Sequence, residues 1–233
     1  MRMRYLIKYT KGSDIKYVSH LELMRTIQRI IRRSELPVEY SRGFNPHMAL
    51  SIAQPLAVGV YSKGEYMDVH FNEEIEEKYI EEALNKNAPS TIRFLDAKKI
   101  KEEDKKVPQA MAAVEAARYI LKFKLVDATK IEEEIKDILN LKEWLATKKG
   151  KKEEKTVNIK ELIKDIDYRI VDNLLILEVL VACGSKENLS AQLLGEYFRN
   201  NIHDINKEAF IDIERQEMYA FKGKKLVPLN RVL

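Results

Sequence analysis

Apolar positions along the first hundred residues change period in a regular way. Met3 to Tyr9 alternates apolar and polar side chains as a half-buried strand does, and Lys11-Gly12-Ser13-Asp14 is turn chemistry. From Ser19 the period becomes helical. At 100° per residue, Leu23, Met24, Ile27, Ile30 and Ile31 share one arc, while Arg25, Arg29, Arg32 and Arg33 share the opposite one. Ser19-His20-Leu21-Glu22 is a capping box: the Ser19 hydroxyl is set to accept the N3 amide, Glu22 to reach back, and Val18 with Leu23 to form a hydrophobic staple. Pro37 ends the helix, and Val38-Glu39-Tyr40 resumes an extended chain. The stretch from Tyr40 to Tyr66 holds three of the eight glycines and two of the six prolines and predicts a long bent hairpin or loop. Tyr66 to Phe71 alternates again. Asn72 is then the expected N-cap of an acidic helix with Ile75, Tyr79, Ile80, Ala83 and Leu84 inward, and Thr91 to Ala97 is a closing strand.

The second half repeats the rhythm. Arg118 to Val126 is a strand, Asp127 the expected cap of a helix that turns Ile131, Ile135, Ile138 and Leu139 to one side, and Leu141 to Thr147 is extended. Lys148 to Lys152 is a solvated turn. Ile166 to Val171 and Leu174 to Val181 flank Asp172-Asn173, a tight hairpin turn. Asn188 or Ser190 caps a helix through Phe198, and Ile211 to Phe221 is a last strand. Apart from an inserted segment, Thr156 to Lys164, both halves read β-α-β-β-α-β. The expected fold is therefore α+β, two tandem ferredoxin-like domains with antiparallel sheets. They are placed at residues 1–98 and 113–233, with a charged linker over 99–112.

A chain of 233 residues, 45% hydrophobic and 33% charged, has the size for two small domains and the composition of an ordered protein. No apolar run approaches the roughly 18 to 20 residues of a membrane span, and no signal-peptide pattern opens the chain, so a cytoplasmic location without membrane contact is expected. Cys183 is the single cysteine. An intrachain disulfide, a Cys-x-x-Cys zinc site and an iron–sulfur cluster held by this chain alone are thereby excluded. Charge is segregated: residues 1–64 carry eleven Lys/Arg against four Asp/Glu, and residues 65–98 carry four against nine. That field suits a polyanionic partner at one face, although one basic and one acidic helix would produce it equally.

Two features carry candidate chemistry. Arg25, Arg29, Arg32 and Arg33 recur at i, i+4 and i+7/i+8, which stacks planar guanidinium forks along about two helical turns at roughly phosphate spacing. The plainer reading is the solvated face of an amphipathic helix. The second is Ser41-Arg42-Gly43-Phe44-Asn45-Pro46-His47, in which Gly and Pro shape a backbone that presents a cation, an aromatic ring, an amide and an imidazole. On single-stranded RNA, Tyr40 or Phe44 would stack on a base while Arg42, Asn45 and His47 bond to phosphate or a base edge. The plainer alternative makes Phe44 a core residue and Asn45 a turn former. His20 or His47 is also the candidate acid–base residue of a metal-independent RNA endonuclease. His70 and His203 have no partners at metal-ligand spacing, no metal ligand set is assigned, and no cofactor is expected. Nucleotide-binding and hydrolase glycine motifs do not occur.

The region VSHLELMRTIQRIIRRSELPVEYSRGFNPHMALSIAQPLAVGVYSKGEYMDV, through Ser19-His20-Leu21, Leu36-Pro37, Tyr40-Ser41, Gly43 to His47, Pro55-Leu56, Val58-Gly59 and Glu65-Tyr66, resembles the signature of an uncharacterised bacterial family described as radical-SAM-linked. The resemblance is specific over residues 4–71. It continues more weakly through Thr156 to Ile159 and Gly184-Ser185 with Asn188. It implies a partner rather than a reaction: a radical-SAM protein with a cobalamin domain, beside or fused to which such chains occur, near genes of ribosomes and RNA processing. The domain pair is also similar, in architecture only, to repeat-associated CRISPR RNA-processing endonucleases, but the glycine-rich signature usual near their C-terminus is missing here. The expected function is a non-catalytic RNA-binding accessory protein for tRNA or rRNA modification or processing. Alternatives are the endonuclease just described and a protein–protein adaptor without nucleic acid.

Overall fold

The computed structural model describes residues 3–100, 107–149 and 154–232, and it is a mixed α+β fold of mostly antiparallel strands with five helices among those residues. The chain forms two compact units, Met1–Glu115 with Arg215–Leu233, and Ala116–Glu214. Most of the expected linker, residues 101–106, lies outside the described residues, as do residues 150–153 of the lysine-rich turn.

In the first unit β1 (Met3–Lys11) lies between β3 (Val60–Phe71) and β4 (Phe94–Ile100), antiparallel to both. The short β2 (Leu50–Ile52) pairs with Met67–Val69 of β3. α1 (His20–Arg33) and α2 (Glu77–Asn87) bury their apolar arcs, Leu23, Ile27, Ile30 and Ile31 from one and Ile80 and Leu84 from the other, against Tyr5, Ile7, Tyr9, Met67, Val69 and Phe71. Burying each such side chain is worth about 1.5–3 kcal/mol, which is what holds the helices to the sheet. Ser19 caps α1 as its sequence demands, accepting the amide of Glu22. The carboxylate of Glu22 does not complete the box. It pairs with Arg25 one turn on.

Asn72 does not cap α2. Its amide donates to the Pro37 carbonyl, and the Tyr5 hydroxyl bonds both the amide and the carbonyl of Ile75, at 2.9 and 2.7 Å. These tethers keep the backbone out of helix until Glu77. Tyr79, expected inward, lies off the Ile80–Leu84 arc of the helix and faces solvent, 56% exposed. The sequence reading also missed α3 (Ala110–Ala113), a single turn whose Ala110 amide donates to Asp68 at 2.7 Å.

In the second unit β5 (Ala116–Lys124) pairs antiparallel with β9 (Leu174–Ala182), and β9 with β8 (Ile163–Val171) through the Asp172-Asn173 turn, where Asp172 has φ 52°. α4 (Ile131–Asn140) buries Ile131, Ile135 and Ile138, and α5 (Ala191–Asn201) is capped by Ser190. Asp127 does not cap α4. It accepts instead from the amide and hydroxyl of Thr129, an Asx-type turn that competes with capping. β6 (Leu145–Lys149) and β7 (Glu154–Asn158) form a separate hairpin, so part of the supposed insertion is a strand. Trp144, just before β6, is buried, stacks on Tyr197 at 5.4 Å and donates its indole N–H to the Ile138 carbonyl.

The last long strand is β10 (Asp212–Lys222), and β11 (Lys225–Pro228) doubles back on it. No described helix is long and apolar enough to cross a membrane.

Candidate nucleic-acid interface

The entry to α1 is fixed by an unusual side chain. Lys11, fully buried at the end of β1, donates its ammonium to the carbonyls of Lys16, Val18 and Val60 at 3.0, 3.0 and 3.2 Å. One cation thereby ties the turn before α1 to the start of β3. Burial lowers its pKa, and the nearby Glu65 carboxylate opposes that shift. Glu65 is buried too and is gripped by Arg215 Nη1 at 3.0 and 3.1 Å. Burial pushes the Glu65 carboxyl above its ordinary range, with Arg215 pulling the other way. Burial and then Glu65 raise the neighbouring Tyr9 phenol. Sequence reasoning did not find this network, because Lys11 sits in a turn-like run and Arg215 lies 150 residues from its partner. The lone signal was the period of the strand, which places Lys11 and Glu65 on inward positions.

From that anchored start, the four arginines of α1 leave the core as the period predicts, and all are exposed. They are not equivalent. Arg25 is paired with Glu22, and Arg33 donates to the Asn87 carbonyl of α2 at 2.9 Å. Arg29 and Arg32 have no partner among the described residues, so these two keep their guanidinium donors for a ligand.

The signature loop is a small hairpin. Tyr40 bridges Met48, the Ser41 amide donates to the His47 carbonyl at 2.8 Å, the His47 amide donates to Ser41 Oγ at 2.9 Å, and the Ala49 amide donates to Glu39. Its legs join the sheet at the end of β3, where Val38 bridges Phe71 and Glu39 bonds His70. The tip, Ser41 to His47, is exposed at every residue. Gly43 has φ 123°, which an L side chain rarely adopts. Phe44 is fully exposed at 111%, so it is no core residue, and Tyr40 is 40% exposed. Arg42 and Asn45 flank this ring without partners among the described residues.

Chain connectivity orders these parts. The residues just before α1 are clamped to Val60, at the start of β3, whereas the finger joins β3 at its last residues. A strand of twelve residues spans about 36 Å. α1, about 21 Å long, therefore runs toward the end of β3 from which the finger projects, and Arg32 and Arg33 lie in its last turn. The two candidate catalytic histidines lie on different elements: His20 opens α1 and His47 closes the finger that follows the other end of that helix. His20 is half-buried, with Nδ1 enclosed and unpartnered among the described residues.

His203 does have neighbours that sequence spacing hid. Glu134 of α4 accepts the amides of His203 and Asp204, each at 3.2 Å, and one donor atom from each of the three side chains lies within 4.8 Å of the others. Glu134 thus ties α4 to the segment after α5. His203 itself points to solvent, 91% exposed.

The class is an antiparallel α+β protein with a basic helix and a projecting, aromatic-tipped finger. A family model described as uncharacterized protein conserved in bacteria (DUF2344) matches residues 4–191, and the chain belongs to that family. No curated protein matches it in sequence. Among solved structures it is similar to an unknown protein from Galdieria sulphuraria, with 12% identity over 92% of this chain and 98% of that one and a TM-score of 0.27, too low a likeness to support any argument.

Proposed function

We propose that this chain is a non-catalytic RNA-binding accessory protein of the cytoplasm, working with a radical-SAM, cobalamin-binding partner in tRNA or rRNA modification or processing. The observation that carries the reading is the pair of unpartnered, exposed guanidiniums, Arg29 and Arg32, on a helix that ends where the Phe44 finger begins. Arginine forks grip phosphates, and an exposed ring between a cation and an amide stacks on unpaired bases, which is how single-stranded RNA is held. The partner rests on the radical-SAM-linked resemblance of residues 4–71, and the single cysteine leaves any cluster to that partner.

The finer architecture belongs to the same proposal. The strand order β4-β1-β3-β2 in the first unit and the antiparallel run β5-β9-β8 in the second support a ferredoxin-like reading of each.

Ultraviolet crosslinking of the full chain to cellular RNA, followed by peptide mass spectrometry, tests the proposal. Adducts are expected on residues 40–47 and on α1. Absence of any RNA adduct, with the radical-SAM protein still co-purifying after ribonuclease treatment, would replace it by the adaptor reading.

A further inference from the structure

Beside the C-terminal end of α1, the first unit carries a half-open cleft of about 460 Å³. One wall is a stripe of α2, Tyr79, Glu82, Ala83 and Lys86, at the i, i+3, i+4, i+7 spacing of a single helix face; the other is Arg33, Ser34 and Glu35. Arg33 spans the two helices through its bond to Asn87. Glu35 takes a left-handed backbone, φ 57°, where a helix end usually has glycine. A carboxylate is thus kept at a position whose backbone disfavours it.

We infer that this cleft is a subsite for one unstacked guanine nucleotide of a single-stranded RNA. The inference rests on the RNA-binding reading and adds a base to it. The volume is that of a small-molecule site. The exposed Tyr79 ring offers a stacking face, and Arg33 and Lys86 offer cations for the phosphate. Glu35 and Glu82 supply acceptors only. A carboxylate is held most strongly by two donors side by side, and among the four bases guanine alone has them on its pairing edge, N1–H next to the 2-amino group. Adenine, cytosine and uracil each set an acceptor beside their donor. Arg33 is four residues beyond Arg29, so a backbone gripped by the arginine row leads into this cleft.

The test is fluorescence anisotropy of the full chain with an oligouridine and with the same oligomer carrying one central guanosine. Guanosine is expected to tighten binding about tenfold, the size of one stacked and hydrogen-bonded base. Glu82→Gln removes that preference while leaving oligouridine affinity and its salt dependence as they were, and Tyr79→Ala, which takes away the stacking face, shrinks the gain and weakens oligouridine by no more than one stacked base; Tyr79 and Glu82 are both exposed, so neither change threatens the fold. If the wild-type chain binds oligouridine in a salt-dependent manner with no gain from guanosine, or if both variants keep the gain, the subsite is overturned and the RNA-binding reading stands. If neither oligomer binds at low salt, both fall.

Discussion

Arg215 and Glu65 form a buried ion pair within the first unit, one guanidinium nitrogen reaching both carboxylate oxygens, with the side chains 3% and 1% exposed. The same nitrogen also donates to the Gln54 carbonyl at 3.1 Å. A charge left alone at such a site costs far more than the pair gains. Arg215→Met is therefore expected to destabilise the protein by about 3–5 kcal/mol in urea denaturation, and adding Glu65→Met to recover about half or more of that loss. A double variant no more stable than the single one would show that the pair does not act as a unit.

Gly64 sits one residue before Glu65, where a Cβ would lie 2.6 Å from the Gln216 carbonyl oxygen and 3.0 Å from the Glu217 Cα, both backbone atoms. Backbone cannot swing aside as a side-chain tip can. Gly64→Ala should cost about 2 kcal/mol or more, read as a lowered urea midpoint with an unchanged slope. A neutral result would mean that the two strands separate there without loss.

The single tryptophan reports on the second unit. Trp144 is enclosed by Tyr197, by Phe198 at 5.2 Å edge to face, and by Lys160, whose ammonium lies 5.6 Å from the ring centre. Trp144→Ala is expected to destabilise that unit by about 3–5 kcal/mol, followed by circular dichroism. In the wild type, its fluorescence should shift when the second unit opens, and an early shift under mild denaturant would argue against the packed core.

Asp127 gives a pH signature. Bonds from the Thr129 hydroxyl and amide hold its carboxyl below the ordinary value of 3.8. A depressed folded-state pKa means that the stabilisation is present above the ordinary value and is lost as pH falls through the lowered one. Asp127→Asn should lower stability at neutral pH and make the acid limb of the denaturation profile shallower; profiles that superimpose would contradict the turn.

Much of this was legible in the chain. Leu23, Ile27, Ile30 and Ile31 bury and the four arginines face out because a 3.6-residue period admits one apolar arc, and Ser19 caps where its type and spacing require. What failed were signals that tertiary contacts override. Asn72 and Asp127 have good capping chemistry but are held elsewhere, the first by the Pro37 carbonyl and the second by Thr129. Tyr79 faces outward because it lies off the Ile80–Leu84 arc, and the cleft it lines joins residues about 45 apart, beyond any local pattern. The exposure of Phe44 was half legible: Gly43 and Pro46 announced a shaped loop, but only the Tyr40–Met48 bridge turns it into a finger.

The most direct measurement is the affinity of the full chain for single-stranded RNA across a salt series. Each phosphate contact on a single strand contributes about −0.7 to the slope of log K against log salt. The account predicts a steep negative slope that Arg29→Ala/Arg32→Ala flattens by about 1.4 with little change in stability, while Phe44→Ala weakens binding about tenfold and leaves the slope alone. A slope near zero in the wild type, or one that the arginine pair does not alter, would contradict it.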